Sequence, residues 1–262
     1  MQEMTFGACV KDSWKGTFRF ISQIPGLFWG SIALSMLLYL LAGPNGGESD
    51  VRGRFIGSMV QLALLLVVVP VLQIKVCRFL ALGERARPLM PDSGACYGRF
   101  IALALIYTLF AGLAIALFVI ATILASSPGD LRTMMSHRFI IGAFAFSFVC
   151  ASCFIVIRLS LLHAGIALSQ KLEFRAAWRD SRGHFWSMFA VMFATFLALF
   201  ALTYISAFLA IFAGVMLGDK SAFLSIVNGF FLPLAAVQGA STATILYRRY
   251  ANELAAKGSA HV

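Results

Sequence analysis

Between Gly183 and Gly218 the chain runs without a single Asp, Glu, Lys or Arg. That stretch exceeds the roughly 20 apolar residues a helix needs to cross about 30 Å of hydrocarbon. The same test applied to the whole chain yields six predicted spans, at 24–42, 55–74, 101–125, 139–157, 185–215 and 222–247. The fifth is longer than a crossing requires, which predicts that it tilts or protrudes. With 60% hydrophobic and only 12% charged residues, the chain lacks the polar surface that a soluble globule of 262 residues needs. The expected fold is all-α and polytopic: a six-helix bundle forming one integral membrane domain over 1–262. The connections are too short to hold a separate soluble domain.

A formal charge of +10 would suggest nucleic acid in a soluble protein, but here the cations sit in short segments between apolar runs. That pattern sets orientation, because positively charged loops stay on the cytoplasmic side. With the amino terminus inside, the inner segments hold sixteen of the 21 Lys and Arg. Both termini are therefore expected in the cytoplasm, with the lipid bilayer as partner and no nucleic acid. The amino-terminal segment does not read as a cleaved secretory signal, since its first apolar run begins late and is long enough to span. The five cysteines fall in inner segments or the inner half of a helix, where a reducing cytosol disfavours disulfides.

One phrase is written twice. Phe6, Ala8, Asp12 and Ser13 recur 168 residues later as Phe174, Ala176, Asp180 and Ser181. On a helical projection Phe174, Ala177, Trp178, Ser181 and Phe185 share a sector of about 100°, while Arg175, Arg179 and Arg182 share another. Residues 6–21 likewise gather Phe6, Cys9, Val10, Phe20 and Ile21 opposite Lys11, Lys15 and Arg19. Each copy is expected to lie in the cytoplasmic interface, its rings toward acyl chains and its cations among anionic phospholipid headgroups. The anionic-lipid contacts are thus assigned to Lys11, Lys15, Arg19, Arg175, Arg179, Arg182 and Trp178. "GAC" at 7–9 and 94–96, with arginines closing the even-numbered spans, suggests an internal repeat of helical hairpins.

Catalytic patterns are sparse. Cys150 and Cys153 form a C-x-x-C one helical turn apart, but a zinc site needs two further ligands, and the pair reads as apolar packing. None of the four histidines belongs to a metal-binding or hydrolytic motif, and neither a nucleophile elbow nor a phosphate loop is present. No metal, cofactor or catalytic residue is assigned. All 11 Asp and Glu fall outside the predicted spans, which disfavours ion-coupled transport, since such carriers bury a carboxylate in the bilayer.

Neutral polar residues do enter the membrane. Asn228, Gln238 and Thr242 lie near one stripe of span six with Pro233 among them, and span two offers Gln61, Gln73 and Pro70. They fit either a polar path between kinked helices or hydrogen bonds that hold helices together. Ser22, Gly26 and Gly30 make consecutive small-x-x-x-small steps, predicting a close helix approach whose partner, within the chain or in a second copy, stays open.

The inner segments "FRAAWRDSRGHFW" and "VCRFLALGERARP" resemble bacterial six-helix membrane families: the YciC-like inner-membrane proteins and the membrane domain attached to some glycerophosphodiester phosphodiesterases. The likeness implies a bacterial inner membrane and a place near lipid or envelope metabolism. It brings no catalytic residue, because the phosphodiesterase chemistry of that family belongs to a separate soluble domain. The expectation is a non-enzymatic scaffold, accessory subunit or envelope and lipid homeostasis factor, with a membrane-protein partner or a homo-oligomer as its assembly. A small permease using the polar stripe of span six is the alternative. An intramembrane lipid-modifying enzyme ranks third.

Overall fold

The computed structural model describes residues 5–41, 59, 62–83, 94–126, 131–169, 173–217, 220–252 and 254. All regular structure among them is helical. The helices are α1 (Phe6–Gln23), α2 (Pro25–Leu41), α3 (Val69–Leu82), α4 (Gly94–Ser126), α5 (Leu131–Ser169), α6 (Phe174–Asp180), α7 (Phe185–Leu217) and α8 (Lys220–Tyr250). A π-helical turn, Leu64–Val68, leads into α3. The last long helix, α8, is the hub and packs against α1, α2, α3, α5 and α7, while α4 lies along α5.

The chain is an all-α, multi-pass membrane protein, but the six predicted spans are too many. Among the described residues three helices are long and apolar enough to cross: Gly142–Leu168, Phe185–Leu217 and Ala222–Tyr250. A fourth arises if the bent pair Phe6–Gln23 and Pro25–Leu40 counts as one broken span. Counting apolar residues is blind to bends, and the bend is where the first expected span fails. Proline at 25 has no N–H to give to the carbonyl one turn back and pushes the preceding residue out of the helical region. Ile24 accordingly adopts φ −130°, ψ 56°, and the two arms meet at 92°. What remains, Pro25–Leu41, has 17 residues, or about 26 Å at the usual helical rise of ~1.5 Å per residue. The expected span 24–42 is thus one arm of an elbow.

The second and third expected spans change for other reasons. Most of 55–61 lies outside the described residues, and the helix that follows runs past Ile74 to Leu82, taking Lys75 and Arg78 with it. Pro70 cannot donate to the carbonyl of Leu66, and the π-helical turn sits just before it. The hydroxyl of Tyr97, on α4, donates to that carbonyl at 3.0 Å. Within α4 the described apolar segment is Cys96–Phe110, shorter than a crossing needs. The fourth expected span, 139–157, was cut too early at Arg158. α5 continues through that arginine to Ser169, and the Arg158 guanidinium lies over the rings of Phe154 (4.8 Å) and Trp178 (4.4 Å). A flat cation stacked between aromatic faces does not mark a boundary.

One side of α1 packs into the body of the molecule. Its buried residues are Cys9, Ser13, Gly16, Thr17 and Phe20, a stripe of small and polar side chains covered by α8 and α7. Phe6 and Phe18 are exposed. The repeated phrase does place equivalent positions alike: Cys9 and Ala177 are buried, as are Ser13 and Ser181, while Lys11 and Arg179 are exposed. The acids differ. Asp12 lies near Lys15, whereas Asp180 is buried and accepts the Leu254 backbone N–H at 3.0 Å.

Close helix approach occurs, though away from the predicted Ser22, Gly26, Gly30 steps. A methyl built on Gly26 or Gly30 meets nothing within 4 Å, but one built on Gly229 of α8 would lie 2.7 Å from the Cα of Met36 on α2. Gly229→Ala should therefore lower stability by about 1–3 kcal/mol through overpacking. Gly26→Ala should leave it unchanged or slightly raised, because alanine favours helix by ~1 kcal/mol. Thermal unfolding of the purified protein in detergent reads both, and equal melting of Gly229→Ala and the parent would refute the tight crossing.

Candidate functional site

Two polar constellations stand out where α1 meets α8. The first is fully buried. Gln238, Ser241 and Thr242 project from α8 at one-turn spacing toward Ser13 and Thr17 of α1. The Gln238 amide nitrogen donates to Ser13 Oγ at 2.8 Å, and its oxygen accepts from Thr17 Oγ1 at 2.6 Å. Ser13 Oγ shares a hydrogen bond with Thr242 Oγ1 at 2.7 Å, and Ser241 Oγ donates to the Ser13 carbonyl at 2.7 Å. Gly16 is what lets the helices approach this closely, since a Cβ there would collide with Ser241 Oγ. Each polar group in the cluster finds a partner from the other helix or one turn away on its own, as buried polar atoms must.

This cluster decides how the five candidate polar-path residues are used. Gln238 and Thr242 are 0% and 1% exposed and face α1. Gln73, on α3, is half-buried, and its amide nitrogen lies 3.9 Å from where a Cβ on Gly239 would be. Asn228 is exposed, about 15 Å along α8 from Gln238 at the usual helical rise. Gln61 lies outside the described residues. The structure therefore gathers Gln73, Gln238 and Thr242 around one stretch of α8 and leaves Asn228 apart.

The second constellation is a basic cavity of about 920 Å³ at the end of the molecule where α8 finishes, α7 begins and α3 ends. Its cations are Lys15 and Arg19 from α1 with Arg248 and Arg249 from the last turn of α8. Among the described residues Asp12 is the lone carboxylate of the lining, and its Oδ1 stands 3.9 Å from Lys15 Nζ, a long pairing between partly exposed groups. Further polar side chains complete the wall: His184, Ser187, Tyr250 and Asn252. Ser187 Oγ and the Tyr250 hydroxyl are 2.6 Å apart, and the His184 ring stacks on Tyr250 with centroids 4.8 Å apart.

Local folding fixes two of the arginines. Arg248 donates to the carbonyls of Leu80 and Ala81, two of the last acceptors of α3, which have no partner within their own helix. Arg249 donates to Cys9 Sγ, and its guanidinium lies 5.2 Å from the Tyr250 ring centre. Both cations also suit the negative end of the α8 dipole. Arg19, exposed on α1, reaches over Phe79 at 5.9 Å.

Of the residues assigned to anionic lipid, Lys15 and Arg19 line this cavity, while Lys11 is exposed on α1 without lining it. Arg175, Arg179 and Arg182 are exposed on or just beyond α6, which packs on α5, and Trp178 carries the Arg158 stack. Sequence reasoning missed Arg248, Arg249 and His184 as a site. The adjacent arginines were visible, but as topology signals rather than as neighbours of Lys15 and Arg19.

The thiols offer little chemistry. Cys150 and Cys153, expected as apolar packing, are exposed, and Cys9 touches the cavity only through Arg249. Burial pushes the Cys77 thiol up to about 12, opposed by its contact with Thr244, so it stays protonated at neutral pH. His163 lies inside α5 between the rings of Phe100 (5.1 Å) and Tyr107 (4.9 Å). Among the described residues no three His, Cys, Asp or Glu side chains come together in a way that could hold a metal ion.

The buried clasp has a measurable signature. Gln238→Leu leaves the hydroxyls of Ser13 and Thr17 short of a partner and should cost about 1–3 kcal/mol. In a double-mutant cycle with Ser13→Ala, thermal unfolding should show a coupling of at least ~0.5 kcal/mol, and strict additivity would mean that the two side chains do not meet. Compared with known proteins, the chain matches no family model, no curated protein and no solved structure.

Proposed function

We propose that this protein is a non-enzymatic scaffold or accessory factor of a bacterial inner membrane, serving envelope or lipid homeostasis, with both termini at the cytoplasmic face. One observation carries the reading. The polar residues best placed to line a solute path, Gln238 and Thr242, are consumed in joining α1 to α8 and are closed off from solvent. Polar groups spent on helix joining build a rigid body rather than a conduit.

The outer surface agrees with this role. Only 11% of the most apolar window of α7 is buried inside the molecule, against 39% for α8. A helix so little used by its own fold presents a long apolar face to lipid or to another membrane protein. Both ends on one face need an even number of crossings, which the four spans among the described residues supply when the bent pair counts as one.

Purified protein reconstituted into vesicles should pass small sugars, amino acids and inorganic ions no faster than protein-free vesicles. A photocrosslinking residue at Phe208 should trap a recurrent protein adduct in cells, and reporters at the two ends should both read out from the cytoplasm. Solute flux abolished by Asn228→Leu with unchanged melting would overturn the scaffold reading in favour of a permease. Reporters on opposite sides would overturn the orientation.

A further inference from the structure

The basic cavity is more than a set of exposed cations. Four cationic side chains and one carboxylate converge on it, and they come from opposite ends of the chain: α1 supplies Lys15 and Arg19, the close of α8 Arg248 and Arg249. Like charges brought together repel, so such a convergence calls for an anion or for strong internal pairing. Among the described residues internal pairing falls short. The carboxylate present, Asp12, sits at the long distance of 3.9 Å from Lys15.

The donors are also arranged for a ligand. Arg248 and Arg249 are each anchored by one part of the guanidinium, to the α3 carbonyls and to Cys9. An arginine has five N–H donors, so anchoring pre-orders the side chain while leaving others to reach a guest. Ser187, Tyr250 and Asn252 add uncharged donors around the wall. A planar carboxylate accepts along few directions. A phosphate presents oxygens tetrahedrally and can take donors from α1 and from the end of α8 at once. The volume of about 920 Å³ exceeds what a bare phosphate fills and admits a substituted one.

We propose that this cavity is a binding site for a phosphate-bearing anion, with the phosphate held between Lys15 and Arg19 on one side and Arg248 and Arg249 on the other. The phosphate of an anionic phospholipid headgroup and that of a soluble phosphate ester share this chemistry. Trp186 and Phe18, each next in sequence to a lining residue, are 76% and 63% exposed, and such exposed rings favour the lipid. The site does not depend on the scaffold reading, since a permease would carry it equally well.

The test uses the whole protein in uncharged detergent at low salt, titrated calorimetrically with dihexanoyl phosphatidic acid, glycerol 3-phosphate and inorganic phosphate. Saturable binding of the phosphatidic acid is expected. Lys15→Gln with Arg19→Gln should weaken it at least tenfold, while Arg99→Gln, an exposed change on α4 outside the cavity, should leave it unaltered. Binding of the lipid probe alone assigns the site to a headgroup, and equal binding of glycerol 3-phosphate assigns it to a soluble ester. If the double variant does not fold, amine labelling of the parent decides: bound probe should protect Lys15 several-fold more than Lys75, which lies outside the cavity lining. Absence of saturable binding by all three probes, equal affinity in the double variant, or equal protection of both lysines would overturn the proposal.

Discussion

A helix bearing Lys11, Lys15 and Arg19 is fastened to an apolar body by hydroxyls and one amide, and the arrangement around α8 follows from that fastening. Ser13 and Thr17 could not be buried without partners, and Gln238, Ser241 and Thr242 supply them within 2.6–2.8 Å. Once those bonds form, α1 must lie with Cys9 and Phe20 inward and its cations outward. The cations then meet the arginines that close α8. Polar satisfaction in a greasy setting thus places both the N-terminal helix and the basic cavity, where hydrophobic burial alone would leave α1 free to slide or roll.

The elbow at Pro25 makes this docking feasible. A continuous helix through Ile24 would run on in line with α2, whereas the 92° turn swings α1 into contact with α8, α7 and α3 while α2 stays against α8. Tyr97 plays a smaller part of the same kind, meeting the carbonyl that Pro70 leaves without its usual donor. In both places a proline removes a backbone donor and a tertiary contact settles the consequence.

Much of this was legible in the sequence, and the rest was hidden for identifiable reasons. Uncharged runs announced helices in lipid, and Pro70 announced an irregular turn. The stripe of Gln238 and Thr242 read equally well as glue or as a path, and the choice depended on Ser13 and Thr17, more than 220 positions away, where no local periodicity can point. The span count failed because run length carries no angle: residues 24–42 looked like a crossing although Pro25 had already turned the chain. Arg158 looked like a terminus because nothing local says that Phe154 and Trp178 will enclose it. The cavity was hidden for the same reason as the clasp, since its two pairs of cations meet only after the whole chain has folded.

The distance in sequence between Ser13 and Thr242, 229 positions, also sets an order of events during synthesis. At roughly 5–20 residues per second, tens of seconds separate the emergence of α1 from that of its mate. Through that interval the nascent arm has its serine and threonine hydroxyls still wet and waiting, until α8 emerges and seals them. A chain cut short before α8 would leave Ser13 and Thr17 without the partners that lock α1 in place.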